Sequence, residues 1–219
     1  MTLNSMHLLF IRFYVKSTFL FFVFAFGQNS IVGQTRISPG SESSKVYLPR
    51  LKNKKVGVVA HQASLLFNKS NNQHLVDFLK ENDIEIEKIF APEHGFRGKA
   101  DNGEKIGDYY DNETGVPIIS LYGKNKKPSK ENLKNLDIVI FDLQDVGVRF
   151  YTYISTLHYV MEACAEMKIP VIVLDRPNPN LHYIDGPVLE EEYSSFIGMH
   201  PVPIVYGMTI GEYLSLIHI

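Results

Sequence analysis

The chain has 219 residues, a formal net charge of −2, 45% hydrophobic and 21% charged residues, and one cysteine. That length suits one α/β-sized domain, or one domain and part of another, and the ordinary composition excludes a disordered, collagen-like or disulfide-stapled chain. The balanced charge, with no basic stripe, argues against a nucleic-acid-binding surface.

The first segment reads as an export signal. Arg12 and Lys16 precede an apolar run over 19–26, and small and polar residues follow from Gly27, which is the order of a secretory signal over residues 1–27. The run is shorter than the ~20 apolar residues of a membrane-spanning helix, so no stable membrane anchor is expected after signal cleavage. The segment holds two basic and no acidic side chains, which leaves −4 on the remainder. An exported chain whose sole cysteine, Cys164, can form no intrachain disulfide fits a bacterial periplasm or cell envelope.

Residues 28–46, rich in Ser and Gly, read as a leader, and no sustained apolar period appears before about Arg50. The folded domain is expected over 47–208. Within it, 55–60 predicts a buried strand and 74–79 a helix with Leu75, Val76 and Leu79 at helical spacing. Further strands are predicted over 84–90, 116–121, 137–141 and 169–174. Before the last strand, Phe150, Ile154, Leu157, Met161 and Cys164 form one helical stripe. Strands separated by helices predict an α/β fold with a mostly parallel sheet and helices on both faces. On that stripe Cys164 reads as a small core residue rather than a reactive thiol. At 209–212, Thr-Ile-Gly-Glu is a capping box that opens a helix; only Tyr213 to Ile219 remain to build it. Residues 209–219 therefore read as the truncated start of a region whose remainder is missing, and the chain as given is expected to be inactive, or nearly so, by itself.

Open parallel sheets bind ligands beyond the carboxyl ends of their strands. There the chain places His61-Gln62, then Pro92-Glu93-His94-Gly95-Phe96-Arg97-Gly98, Tyr122-Gly123, the run Asp142 to Arg149, and Asp175-Arg176-Pro177-Asn178. Glu93, between a proline and a glycine, suits a carboxylic acid that must be aimed, and partial desolvation would bring it toward proton donation near neutrality. The plainer reading pairs it with Arg97. Asp142 and Asp145 beside Glu93 match the two-carboxyl equipment of a glycosidase; their plainer readings are a structural acceptor and a helix N-cap. Arg149 and Arg176 either grip a substrate carboxylate in a bidentate fork or pair with Asp145 and Asp175. Tyr151 and Tyr153 either stack on a sugar or flank the helix stripe. No metal is expected, because His94 has no His or Cys partner at close spacing and a His61, His94 and Asp142 set is one guess among many. A Gly-x-Ser-x-Gly elbow is absent, which leaves an ordinary α/β-hydrolase without a nucleophile. The first strand-helix turn, His61-Gln62-Ala63-Ser64, has no Gly-x-Gly-x-x-Gly, so a dinucleotide cofactor is disfavoured.

Taken together, Pro92 to Gly98, Ser120-Leu121-Tyr122-Gly123, Phe141 to Tyr153, Leu174 to Pro179 and Gly207 to Glu212 resemble the exo-β-N-acetylmuramidases, long catalogued as a domain of unknown function. The resemblance implies a Rossmann-like N-terminal domain, a smaller C-terminal domain and an active site between them. It implies release of N-acetylmuramic acid from the non-reducing ends of peptidoglycan fragments, with that saccharide as partner and no cofactor. Carried over by motif, Glu93 is the catalytic acid, with Asp142 and Asp145 beside it. His94, Arg97, Gln144, Arg149, Tyr151, Asp175, Arg176 and Asn178 fall on positions that would line the pocket. The chain departs from the family at His61, where Asn is frequent, at Leu181, where Gly commonly follows, and at Tyr206, where His is frequent. Leu181 questions a loop that would need positive φ. Two other classes compete: a non-catalytic envelope module binding muropeptides or sugars, and an esterase or amidase using an acid with His94.

Overall fold

A computed structural model describes residues 37–67, 72–93, 95–97 and 109–217. The expected signal over 1–27 and the expected role of His94 lie outside the described residues.

Six strands form one sheet: β1 (Val56–Ala60), β4 (Ile86–Ala91), β5 (Tyr109–Tyr110), β6 (Pro117–Ser120), β7 (Ile138–Asp142) and β8 (Val171–Val173), in the order β5-β6-β4-β1-β7-β8. All neighbours are parallel except β5, which runs antiparallel along β6. Two short strands, β2 (Leu65–Phe67) and β3 (Asn72–His74), pair antiparallel in a separate ribbon. From β1 the chain winds outward through β4 and β6, then returns to the other side of β1 for β7 and β8. This makes the β1/β7 boundary the topological switch point, where the loops leaving adjacent strand ends diverge and open a crevice.

Side chains on a strand alternate between faces, so a sheet covered on both sides reads as an unbroken apolar run. Val56, Val58, Ala60, Ile138 and Ile140 pack with α1 (Ser44–Leu51) and α2 (Leu75–Glu81). Their neighbours Val59, Val139 and Phe141 pack with α3 (Lys130–Leu133), α4 (Tyr153–Glu166) and α5 (Ile210–Ile217). Gly57 lies at the crowded point of this second face, where a Cβ would stand 2.8 Å from Leu136 and 3.1 Å from Phe90.

The strands and the long helix expected from periodicity are present, and Cys164 is a core residue whose thiol burial pushes up to about 12. Two readings are corrected. The stretch up to about Arg50, read as lacking any element, contains α1, which buries Tyr47 and Leu51, while Ser41 before it is also buried. The eight residues of α1 and the Pro49 inside them hide it from a periodicity argument, although Tyr47 and Leu51 stand at helical spacing. Phe150, placed on the helix stripe, precedes α4 and is 61% exposed. The capping box forms as read: Thr209 N–H donates to Glu212 Oε2 at 2.8 Å and Glu212 N–H to Thr209 Oγ1 at 3.1 Å.

Candidate active site

Glu93 stands two residues beyond the end of β4 and is half-buried. The turn that carries it is closed by Gly95 N–H donating to Pro92 O at 3.2 Å. Gly95 has φ +74°, in the left-handed region that glycine adopts without steric cost. Phe96 then plugs the core, fully buried, with His74 edge-on at 4.8 Å. From the neighbouring strand end, just after β6, Tyr122 comes close enough to Glu93 for the carboxylate to raise the phenol above its ordinary pKa.

The β1/β7 crevice is lined by buried polar groups. His61 follows β1, and its ring Nδ1 lies 3.2 Å from Ser64 Oγ, which in turn donates to the Asp142 carbonyl. The His74 ring lies 2.9 Å from the His61 carbonyl. Tyr153, at the start of α4, meets the His61 ring edge-on at 5.0 Å and Tyr151 at 4.7 Å. Its hydroxyl is buried without a hydrogen-bond partner of good geometry. Desolvation first, then Tyr151, Glu93 and Asp145, drive its pKa far up, so it remains a neutral hydroxyl at any working pH. Glu93 and Asp145, from two different strand ends, thus both bear on one tyrosine.

Asp145 is buried, and burial raises its carboxyl pKa against the opposing pull of its hydrogen bonds. Tyr206 O–H and Gly147 N–H both donate to Oδ2, while Oδ1 is buried with no partner. Tyr206, one of the departures from the family pattern, therefore holds the carboxylate directly. Asp142 is placed differently from expectation. Arg176 donates to both its oxygens, from Nε at 2.6 Å and Nη2 at 2.9 Å, in a fully buried pair. Burial pushes the Asp142 carboxyl up and the guanidinium pulls it back. An acid enclosed in this way braces the strand end and does not meet solvent. The same bidentate contact, with further bonds from Arg176 to Leu65 O and Ser41 Oγ, removes Arg176 from the groups able to grip a ligand.

Several expected pocket residues act as struts. Arg97 contacts Asp77, Asp111 and Glu113. Gln144 Nε2 donates to the carbonyls of Asp145 and Pro177. Asp175 accepts from Thr209 Oγ1 at 2.7 Å and Gly211 N at 2.8 Å, at the start of α5. Asn178 donates to Met208 O and accepts from Asn180 N–H. Arg149 donates from Nη1 to the carbonyls of Pro187 and Val202, at 2.9 and 2.7 Å; these bonds use a single nitrogen of its fork. Leu181 does not adopt positive φ, so its departure from glycine carries no strain there. Among the described residues no group of three or more His, Cys, Asp or Glu side chains is arranged to hold a metal ion, and no helix is long and apolar enough to cross a membrane. Sequence reasoning places Tyr122 among the strand-end residues and marks Tyr206 as a departure from the family, but assigns neither a role in the site.

A family profile described as exo-β-N-acetylmuramidase NamZ, N-terminal, matches residues 56–218. A peptidoglycan β-N-acetylmuramidase NamZ of Bacillus subtilis (strain 168) is 52% identical over 172 residues, covering 78% of this chain and 41% of that protein. Two crystal structures of DUF1343 family proteins from Bacteroides fragilis are similar, at 44% and 38% identity with TM-scores of 0.71 and 0.72. They cover 82% and 83% of this chain and 46% of each of theirs. The chain thus spans less than half the length of these relatives. With the doubly wound sheet, the Pro-Glu-His-Gly segment at a strand end and a profile match over most of the sequence, the chain belongs to the exo-β-N-acetylmuramidase NamZ family, of which it carries the N-terminal part.

Proposed function

We propose that the protein is a glycoside hydrolase that releases N-acetylmuramic acid from the non-reducing ends of peptidoglycan fragments, with Glu93 as its general acid. The observation that carries this reading is the placement of Glu93 in a chain of this family. Glu93 is half-buried just beyond the end of β4, beside Tyr122, whereas Asp142 is enclosed by Arg176. Glu93 gives its proton to the glycosidic oxygen as the anomeric C–O bond breaks, and water completes the hydrolysis at the oxocarbenium-like carbon. Asp145, just beyond the end of β7 and braced by Tyr206 and Gly147, is the second carboxyl group of the pair. Muramic acid carries a lactyl carboxylate that glucosamine lacks. Arg149, with one nitrogen of its fork engaged, is the arginine assigned to read it.

In the intact enzyme, with the C-terminal half that the relatives carry, Glu93→Gln keeps the shape and loses the transferable proton, so turnover of a chromogenic N-acetylmuramide should fall by about 10²–10⁴ with the fold intact. Near-normal turnover by that variant rejects Glu93 as the acid. Export to a bacterial envelope belongs to the same proposal, supported by the basic and apolar pattern of residues 1–27. N-terminal sequencing of the protein recovered from the envelope fraction tests it; an intact Met1 in a cytosolic fraction counts against it.

A further inference from the structure

We propose that Arg97 is a positioning residue for Glu93, clamped so as to fix the loop that aims the acid. This rests on the reading of Glu93 as the proton donor. A guanidinium has five N–H donors in a rigid planar fork, and the surrounding carboxylates occupy every nitrogen of this one. Nε donates to Asp111 Oδ1 at 2.8 Å and Nη2 to Asp111 Oδ2 at 2.9 Å. Nη2 also meets Asp77 Oδ1 at 2.9 Å, while Nη1 meets Asp77 Oδ2 at 3.3 Å and Glu113 Oε2 at 3.2 Å. No donor remains for a substrate, so the arginine acts on the reaction through what it holds.

What it holds is the loop of the acid. Asp77 lies on α2, and Asp111 follows β5, where Thr114 fixes its carboxylate through its N–H at 3.1 Å and its hydroxyl at 2.6 Å. Asp111 is also tied to the foot of β6 by its N–H to Val116 O at 2.9 Å. The clamp therefore joins a helix, a strand edge and the loop after β4. Between Glu93 and Arg97 lie Gly95, whose backbone resists rotation least, and Phe96, over whose ring the guanidinium sits at 4.9 Å. Release of Arg97 leaves Phe96 as the sole anchor among the described residues at that end of the turn, and the aim of Glu93 loosens.

The test compares wild-type protein with Arg97→Lys and Asp77→Asn, each joined to the C-terminal half that its relatives carry, assaying a chromogenic N-acetylmuramide and following amide exchange at Gly95 and Phe96. Lysine keeps the charge but is unable to bridge two carboxylates in paired forks. A misplacement of about 1 Å can cost about 10²-fold in rate, so kcat should fall at least about tenfold while KM changes by less than about twofold. Exchange at Gly95 and Phe96 should accelerate, with β1 and β7 amides unchanged. Combining Arg97→Lys with Tyr122→Phe should lower kcat by less than the product of the single effects, because both act on the aim of one carboxyl. Asp77→Asn removes one arm at a partly exposed carboxylate and carries the same readings if Arg97→Lys fails to fold. Wild-type kcat with unchanged exchange overturns the proposal, as does a raised KM at constant kcat, which would put Arg97 on the substrate. If the wild-type protein leaves the muramide uncleaved, the functional reading fails, while exchange at Gly95 and Phe96 still decides whether the clamp fixes the loop.

Discussion

Asp142 and Arg176 stand at adjoining strand ends in motif positions, where a substrate pocket was expected, yet they spend their hydrogen bonds on each other. Breaking such a pair leaves an uncompensated buried charge, which typically costs about 3–5 kcal/mol. Arg176→Ala should therefore shift the urea midpoint strongly downward, and its loss of activity should follow its loss of folded protein. Arg149→Ala should behave in the opposite way. Its side chain is partly exposed and one nitrogen engages carbonyls, so folding should suffer less. The ratio of muramide to glucosaminide turnover should fall by roughly 10- to 150-fold, the equivalent of a charge-assisted hydrogen bond of about 1.5–3 kcal/mol. A ratio unchanged by Arg149→Ala moves recognition of the lactyl carboxylate to another group.

At the scale of elements, α5 is held by more than its own capping box. Asp175, from the loop after β8, accepts from Thr209 Oγ1 and Gly211 N–H, so a tertiary contact reinforces a local signal. Asp175→Ala should destabilise the protein by about 0.5–2 kcal/mol, the range measured for lost N-caps; thermal unfolding should register it, with faster amide exchange confined to the first turn of α5. The loop after β7 has a similar dependence on its neighbour. Gly147 has φ +72°, and a Cβ there would stand 2.1 Å from Asn178 Nδ2. Gly147→Ala should thus cost more than the ~1 kcal/mol associated with an unfavourable glycine replacement alone, and should displace Asp145, whose Oδ2 accepts the Gly147 N–H. Wild-type stability for that variant, read from chemical denaturation, would mean that the loop yields without resistance.

For the whole molecule, acid should act in two steps. His200 is half-buried, its ring nitrogens 3.1 Å from His158 Nδ1 and 3.1 Å from Tyr213 Oη. Desolvation, then the charge of His158, lower its pKa from 6.5 to about 4. Below pH 6.5 the unfolded chain takes up a proton that the folded chain refuses, so stability present above 6.5 is lost as pH falls toward 4. Asp111 supplies the second step. Its burial raises the carboxyl, but bonds from Arg97 and Thr114 outweigh this and hold it at about 2, below its ordinary 3.8. Stability present above 3.8 is then lost as pH falls toward 2. His200→Asn should lessen the fall in melting temperature between pH 6.5 and 4 without abolishing it, because burial also lowers the pKa of His74, and should leave the lower step in place; a profile indistinguishable from wild type would remove His200 from the account.

The amino-acid sequence by itself determined the α/β class, the strands and the long helix, because burial on both faces of a parallel sheet demands apolar runs at those places. It also determined that polar side chains gather at the strand ends and that a capping box opens α5, since each of these is a local pattern. It did not disclose α1, whose two turns and internal Pro49 are too short and too broken for Tyr47 and Leu51 to stand out as a period. Nor did it disclose which of the polar groups face one another. Only the tertiary structure decided that Asp142 is enclosed by Arg176 while Glu93 meets Tyr122, and that Arg97 belongs to Asp77 and Asp111 rather than to Glu93. The physical reason is separation along the chain. Pairs joined across 34 or 20 residues, such as Arg176 with Asp142 and Arg97 with Asp77, leave no local spacing to read, and sheet order and strand register alone bring them within hydrogen-bonding distance.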